Sequence, residues 1–272
     1  MVAAAASKDV GDLLSRQLLS LPAFRALLRS VESRFYEGIK LPEPTLDLGC
    51  GDAHFALVTF DQPLAAGVDP WLSPLIEAKG RGAHRVLAQA DGAALPFPTG
   101  HFASAFSNSV LEHIRELDPV LSELARVLQP GAPFVFCVPG ERFLEFLSVS
   151  TALRRIGFNP AARAYESFFN RISRHHHCDA PDVWRERLMR AGFRIERSWY
   201  YFSRGALRAL EWGHYLGLPA ALSKALTDRW ILWPSPANLW LTHKILRPFY
   251  EEPLPNADDG GAYLFFITHR VE

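Results

Sequence analysis

The stretch LDLGCGDAHF, residues 46–55, constrains the fold more than any other part of the sequence. An apolar run ends there in an acid, and Gly49 and Gly51 flank a cysteine before a second acid. Glycine adopts the positive φ of a sharp turn and lets the backbone approach a ligand closely. The stretch therefore predicts a buried strand, Thr45–Leu48, whose carboxyl end faces a bound small molecule.

Short apolar runs alternate with helical patterns after this turn. Further early strands are predicted at residues 65–68, 85–89, 103–106 and 133–138. A helix is predicted at residues 119–128, with Asp118 as its cap and Pro119 in its first turn. Such alternation predicts a parallel sheet covered on both faces. With two late strands, at 193–202 and 262–268, the expected fold is α/β: a Rossmann-like, doubly wound, seven-stranded, mostly parallel sheet.

The remaining segments are predicted to be helical additions to one domain of residues 1–272. Residues 1–40 contain two amphipathic helices, and residues 41–140 form the cofactor-binding core. Helical cap insertions are expected at 141–178 and 204–258, with a core helix, Pro181–Arg190, between them.

Charge and cysteine content narrow the function classes. Lysine plus arginine and aspartate plus glutamate both number 29, and this balance argues against binding of a nucleic-acid backbone. The three cysteines, Cys50, Cys137 and Cys178, are odd in number and widely spaced, which predicts no disulfide framework and a reducing cytoplasm. Residues 1–10 predict no export signal, and no run of about 18 uncharged apolar residues predicts a membrane span.

Five motifs in order carry a family resemblance: LDLGCGD, GVD, ADGAALPF, NSVLEHI and RVLQPGA. Together they resemble the class I S-adenosylmethionine-dependent methyltransferases, in the small-molecule (type 11) group that includes quinone and sterol C-methyltransferases. The resemblance covers residues 45–139, and the third glycine of the family's first motif is Ala53 here.

The resemblance implies S-adenosylmethionine as the cofactor and ten residues that bind it. These are Asp47, Gly49, Cys50, Gly51, Asp69, Pro70, Asp91, Gly92, Asn108 and Ser109. In this arrangement Asp69 holds the ribose hydroxyls, and Asp91 accepts a hydrogen bond from the adenine amino group. Asn108 and Ser109 contact the methionine end and open toward the acceptor.

Three histidines are candidates for a catalytic role at the acceptor. His113 follows the fourth strand, whereas His175 and His177 lie in HHHCD, where a loop brings one of them over the methyl group as a base or an orienting residue. The alternative is that all three are structural. Consecutive histidines cannot all face one metal ion, and no His-x-x-x-His or Cys-x-x-Cys pair is present, so no metal site is predicted.

The second insertion suggests the acceptor. Residues 204–250 contain four of the seven tryptophans, six basic residues and two acids, a composition typical of an interfacial surface. The tryptophans are Trp212, Trp230, Trp233 and Trp240. We expect a small apolar acceptor such as a quinone, isoprenoid, pigment or lipid-like phenol, together with peripheral membrane contact. The alternative is that these aromatic residues pack the cap onto the sheet.

Two other functions remain open. An NAD(P)-dependent Rossmann oxidoreductase has a similar glycine turn, although His54 replaces its third small residue and no Tyr-x-x-x-Lys pair is present. A protein that binds S-adenosylmethionine without turnover would have the same motifs. A nucleic-acid methyltransferase is disfavoured because SNSV stands where an Asn/Asp-Pro-Pro-Tyr type of motif is expected. The acceptor, the methylated atom, any catalytic base and the oligomeric state also remain open.

Overall fold

A computed structural model describes residues 12–227, 229–254 and 260–271, with the side chains of 218–221 left aside. Three parts of the sequence-based predictions lie outside the described residues. They are the segment considered as an export signal (residues 1–10), the acid Asp228 of the second insertion, and residues 255–258 of that insertion. Two helices come first, α1 (Leu13–Leu18) and α2 (Ala23–Tyr36). Asp12 caps α1, because its side chain accepts a hydrogen bond from the amide of Ser15.

The core alternates strands and helices up to residue 139. Its elements are β1 (Thr45–Leu48), α3 (His54–Thr59), β2 (Leu64–Asp69), α4 (Leu72–Arg81), β3 (His84–Gln89), β4 (Ser104–Asn108), α5 (Leu117–Val127) and β5 (Pro133–Pro139). A 3₁₀ turn, Leu111–His113, follows β4.

The second half adds helices around two more strands. Its elements are α6 (Ser148–Arg155), α7 (Asn159–Ser173), α8 (Pro181–Arg190), β6 (Phe193–Tyr201), α9 (Arg204–Leu216), α10 (Leu218–Thr227), α11 (Pro236–Tyr250) and β7 (Tyr263–Arg270).

The strands form one seven-stranded sheet in the order β3-β2-β1-β4-β5-β7-β6. Strands β1 to β5 are parallel, and β7 pairs antiparallel with both β5 and β6. Successive side chains of the central strands point to opposite faces, so Phe106 and Val135 join one buried cluster and Phe134 and Phe136 another. The Rossmann-like, doubly wound, mostly parallel fold is confirmed.

Three local predictions need correction. Helix α4 was not predicted between the second and third strands. Helix α5 begins at Leu117, so Asp118 lies inside its first turn and pairs with Arg187 and Arg190 instead of capping it. The helical stretch expected from residue 141 begins at Ser148 and is interrupted after Arg155, where Gly157 has a positive φ.

No helix within 12–227, 229–254 or 260–271 combines the length and the hydropathy that crossing a bilayer requires.

Candidate cofactor site

The turn after β1 folds back onto β2. The amides of Gly49 and Cys50 both donate to the carbonyl of Val68, at 2.8 and 2.9 Å. Gly49 has φ +79° and Gly51 has φ +52°, in the left-handed region that favours glycine. A Cβ on Gly49 would lie 2.4 Å from a methyl carbon of Val110, whereas one on Gly51 would meet nothing within 4 Å. Both positions need a residue that adopts a positive φ, but only Gly49 must also lack a Cβ to avoid a clash with Val110.

This difference predicts unequal costs for two matched substitutions. Gly49→Ala should lower the free energy of unfolding by about 2–3 kcal/mol, because backbone strain and overpacking add. Gly51→Ala should cost only the strain, about 1–2 kcal/mol. Urea unfolding followed by circular dichroism measures both, and equal losses would contradict the role assigned to Val110.

Ala53 occupies the place of the family's third glycine and keeps a glycine-like backbone. Its φ is +62°, and it is fully buried at the start of α3. The departure from the motif is therefore a change of side chain without a change of turn conformation.

Asp69, at the end of β2, supports the glycine turn. Its carboxylate accepts from the amide of Gly51 at 3.0 Å and from the amide of Trp71 at 2.9 Å. A carboxylate offers about four lone-pair directions, so two remain for a pair of hydroxyl donors. This geometry fits a ribose whose two hydroxyls approach the end of β2.

Asp47 lies buried at the base of the turn, 2.9 Å from the ring Nε2 of His84. Burial raises the pKa of the Asp47 carboxyl, and the hydrogen bond from His84 opposes that effect. Cys50, beside it, has a raised pKa because of burial and the nearby carboxylates of Asp47 and Asp69. Cys50 is therefore a thiol, which agrees with a small residue that fills space beside the cofactor rather than a nucleophile.

Helix α2 forms the roof over this turn. Arg29 donates to the carbonyl of Asn108 at 2.8 Å. The guanidinium carbon of Arg25 lies 5.9 Å from the ring centre of Trp230. One turn further along α2, buried Glu32 accepts from Asn108 Nδ2 at 2.6 Å and from the Ser109 hydroxyl at 2.9 Å. Glu32 thus holds one Asn108 amide hydrogen and the Ser109 hydroxyl from the side of α2, and contact of these two residues with the methionine end stays a prediction.

A cavity of about 300 Å³ lies between the turn and this roof. Five of the ten expected cofactor residues line it, namely Asp47, Gly49, Cys50, Gly51 and Asn108. Its roof and rim add residues that sequence analysis did not select, namely Leu21, Arg25, Arg29, Asp52, His54, Phe55, Pro74, Glu77, Lys224 and Trp230. Burial lowers the pKa of His54 to about 4, so its imidazole is neutral near pH 7. The cavity offers the guanidinium groups of Arg25 and Arg29 to a carboxylate such as that at the methionine end of the cofactor.

The other five expected residues lie outside this cavity. They are Asp69, Pro70, Asp91, Gly92 and Ser109. Asp91 is exposed, and one of its carboxylate oxygens accepts from the amide of Ala93 at 2.8 Å. Asp69 and Asp91 end β2 and follow β3, two neighbouring strands that place them along one edge of the sheet. An open edge of this kind fits a nucleoside better than an enclosed pocket would.

None of the three candidate catalytic histidines lines the cavity among the described residues. His177 is held on both sides: its Nε2 donates to the carbonyl of Ile114 at 2.9 Å, and its Nδ1 lies 3.3 Å from Asp179. His113 and His175 lie side by side, with ring centres 5.4 Å apart. Burial lowers the pKa of His175 to about 3 and also lowers the pKa of His113.

A second cavity, of about 240 Å³, adjoins the first and shares Leu21, Asp52, Glu77, Lys224 and Trp230 with it. It adds two cations, Arg81 and Arg229. Arg81 lies 2.7 Å from Asp52, and this ion pair lowers the pKa of the Asp52 carboxyl against the effect of burial, which raises it. Within the described part of the chain, the two cavities together are lined by five cations and three carboxylates.

Comparison with known proteins matches this part of the chain. A methyltransferase domain family matches residues 46–136, the segment from β1 to β5 that builds the glycine turn. Residues 46–136 form a methyltransferase domain of the class I S-adenosylmethionine-dependent type. S-adenosylmethionine is the cofactor of this methyltransferase domain, and the glycine turn, the Asp69 carboxylate at the end of β2 and the cationic roof fit it.

Individual relatives extend the comparison. Malonyl-[acyl-carrier protein] O-methyltransferases from Methylococcus capsulatus and Legionella pneumophila are 30% and 29% identical over 135 and 122 residues. These alignments cover 46% and 41% of this chain. They cover 49% and 43% of the length of the two relatives, so the chain spans less than half of each relative that it matches. The structure of a Thermotoga maritima methyltransferase, described as a possible histamine N-methyltransferase, aligns with 96% of this chain and 92% of its own. Its TM-score is 0.53 at 15% identity, a likeness that concerns the fold.

The residues of α2 are the main part of the site that sequence analysis missed. Glu32 lies one helical turn after Leu28, on the same apolar stripe as Val31 and Phe35. A carboxylate on a buried face is rarely left without donors. That signal was present in the sequence and could have indicated a buried hydrogen-bond network.

Proposed function

We propose that the protein transfers a methyl group from S-adenosylmethionine to an acceptor that carries a carboxylate or a phosphate. The observation that carries this proposal is the group of cations around the two adjoining cavities. Arg25 and Arg29 stand over the glycine turn, where the carboxylate of the cofactor belongs. Further out lie Lys224, Arg81 and Arg229. Arg81 pairs with Asp52 at 2.7 Å and Lys224 lies 3.6 Å from Glu77, so a second anion would compete with these carboxylates for the cations.

An apolar acceptor fits this lining less well than an anionic one. A quinone or an isoprenoid would exclude water from these charged side chains without replacing its hydrogen bonds, which is costly. An anion instead forms charge-assisted hydrogen bonds with them. The names of the two curated relatives describe a malonyl group, which has one free carboxylate, on a carrier protein. A carrier-bound acyl group with a free carboxylate is therefore the acceptor class we propose.

This acceptor class also suits a site in which no candidate histidine lines the cavity. Methyl transfer is an in-line displacement, and its rate depends mainly on alignment of the acceptor atom with the methyl group. A carboxylate has no proton to lose, so its methylation requires no general base. The cations then hold and orient the acceptor.

A labelled-methyl assay with matched acceptors tests this function. Malonyl-carrier protein should be methylated, whereas acetyl-carrier protein, which lacks the free carboxylate, should not. A quinone serves as the apolar comparison. Methylation of the quinone or of a polar amine, without methylation of any carboxylate or phosphate acceptor, would contradict the proposal.

The outer cation gives a sharper prediction. Lys224→Met should raise the KM for the acceptor by about 10- to 100-fold, because a charge-assisted hydrogen bond contributes about 1.5–3 kcal/mol. Affinity for the cofactor should fall much less, because Lys224 lies at the rim of the first cavity whereas Arg25 and Arg29 stand over the glycine turn. Arg85→Ala is the matched control, since Arg85 is exposed and pairs with Glu43 away from both cavities. An unchanged KM would place the acceptor elsewhere.

We also propose peripheral membrane contact through the second insertion. Trp233 and Trp240 are 75% and 60% exposed, so these two rings do not pack the cap onto the sheet, as the alternative required. Leu241 and Ile245 on α11 are exposed beside them, and the Lys244 ammonium lies 5.1 Å from the ring centre of Trp240. Exposed aromatic rings next to cations are typical of protein surfaces that enter the headgroup layer of an anionic membrane.

Vesicle flotation tests this contact. The protein should float with anionic vesicles at low salt and less at high salt, because charge attraction is screened. Substitution of Trp233 and Trp240 by alanine should abolish flotation, whereas Trp71→Ala, at a ring 72% exposed beside α4, should not. Flotation that is absent at every salt concentration would refute the proposal.

A further inference from the structure

Three side chains with metal-binding atoms meet beyond the end of β4. Glu112 and His113 belong to the 3₁₀ turn, and His175 follows α7 in the first insertion. One ligand atom from each of the three lies within 4.8 Å of the others. His113 Nε2 lies 3.8 Å from a carboxylate oxygen of Glu112. Glu112 and His113 are adjacent in the chain, and His175 lies 62 positions after His113. This spacing does not resemble a local metal motif.

One oxygen of the Glu112 carboxylate lacks the partner that its burial would require. Its side chain is only 2% exposed, and its Oε2 is buried with no hydrogen-bond partner among the described residues. A buried ionised carboxylate is costly unless a cation or several donors compensate for the lost water.

The hydrogen bond of His113 orients its ring for metal binding. Its Nδ1 lies 3.0 Å from the carbonyl oxygen of Arg174, and because a carbonyl only accepts, Nδ1 carries the proton. In the neutral ring the lone pair is then on Nε2, the nitrogen that faces Glu112. An imidazole whose other N–H donates to a backbone carbonyl is the usual arrangement of a metal-binding histidine.

The ring of His175 is also held from outside the cluster. Its Nδ1 contacts the Cys178 sulfur at 3.7 Å, and the ring packs edge-on against Phe143 with centres 4.9 Å apart. On the opposite side of the cluster His113 is 42% exposed, so water can reach it. Two nitrogens, one carboxylate oxygen and an open side are a ligand set suited to a divalent transition metal ion.

We infer that Glu112, His113 and His175 form a binding site for a divalent transition metal ion such as Zn²⁺, with one position open to solvent. Coordination at about 2 Å requires small rotations that bring the three ligand atoms closer together. The prediction that the chain has no metal site rested on the consecutive histidines and on the lack of His-x-x-x-His and Cys-x-x-Cys pairs. It did not include the residues that the fold brings to His175 from distant parts of the chain. The site does not depend on the proposed acceptor.

Titration of the chelator-treated full chain with Zn²⁺ tests this site directly. We expect one high-affinity equivalent per chain, and Co²⁺ in its place should give visible d–d absorption. His113→Ala and His175→Ala should each weaken Zn²⁺ binding by about 100-fold. Loss of a residue that only supports a metal ligand already costs about 10- to 100-fold, and loss of a ligand should cost at least the larger value. His176→Ala is the matched control. His176 is exposed and follows His175 directly in the chain, but it is not one of the three proposed ligands. The Zn²⁺ affinity of this variant should match that of the unmodified protein.

Folding controls keep the outcome unambiguous. Each variant is compared by circular dichroism and by affinity for S-adenosylmethionine. If Glu112→Gln fails to fold, the half-exposed His113→Asn variant still decides the question. Zn²⁺ binding that is equally tight in the His113 and His175 variants, or the lack of a single high-affinity equivalent in the unmodified protein, would overturn the inference.

Discussion

Replacement of Glu32 by alanine is expected to lower the free energy of unfolding by about 3–5 kcal/mol, the cost of breaking a buried charged network. Three donors point at this carboxylate: Asn108 Nδ2, the Ser109 hydroxyl and the Tyr201 hydroxyl at 2.8 Å. Alanine would leave the buried Asn108 and Tyr201 donors and the half-buried Ser109 donor without this acceptor, and each unsatisfied buried group costs about 1–3 kcal/mol.

Two comparisons separate this network from a general effect on α2. Tyr201→Phe removes one donor and leaves the carboxylate satisfied by the others, so its cost should be near 1 kcal/mol, typical of about one net hydrogen bond. Glu37→Ala changes an exposed carboxylate just beyond α2 and should stay within about 0.5 kcal/mol. Urea unfolding measures all three variants. A loss below 1 kcal/mol for Glu32→Ala would show that Glu32 does not hold the roof.

Replacement of Asp69 by alanine should weaken binding of both S-adenosylmethionine and its demethylated product by about 1,000-fold. Two charge-assisted hydrogen bonds to the ribose, of about 1.5–3 kcal/mol each, would be lost. Support of the turn would be lost as well, since Asp69 accepts from the Gly51 amide. Product and cofactor should lose equally because the ribose is common to both.

Calorimetric titration measures this loss, with a matched carboxylate elsewhere as the control. Asp182→Ala removes a carboxylate that is 82% exposed and pairs with Arg185 on α8, so cofactor affinity should not change. NADH should be titrated in parallel. Unchanged affinity in Asp69→Ala would remove Asp69 from the site, and micromolar NADH binding without S-adenosylmethionine binding would favour the oxidoreductase.

The sequence predicted the sheet well because its strands have strong local signals. The early strands are short apolar runs bounded by glycine, proline or acids, and β1 begins and ends where predicted. Helix α8 also matches at both ends, because Pro181 and Gly192 mark its limits. Helix α4 was missed because its sequence, LSPLIEAKGR, contains a proline and a glycine within ten residues.

The site was less predictable where it depends on distant segments. The glycine turn and Asp69 lie within one strand-turn-strand unit, so motif spacing located them. The roof depends on how α2 packs across β4 and β6, and no local pattern reports that packing. The same holds for Glu112 and His175, which meet only because the first insertion folds back onto the end of β4.

The contact between Glu32 and Tyr201 joins residues 169 positions apart. During synthesis, at 5–20 residues per second, α2 would emerge roughly 8–34 s before its tyrosine partner. Over that interval the roof can contact Asn108 and Ser109 on β4 and beyond it, but it lacks its contact with β6. A cofactor captured by a nascent chain would therefore be held less firmly until β6 has joined the sheet.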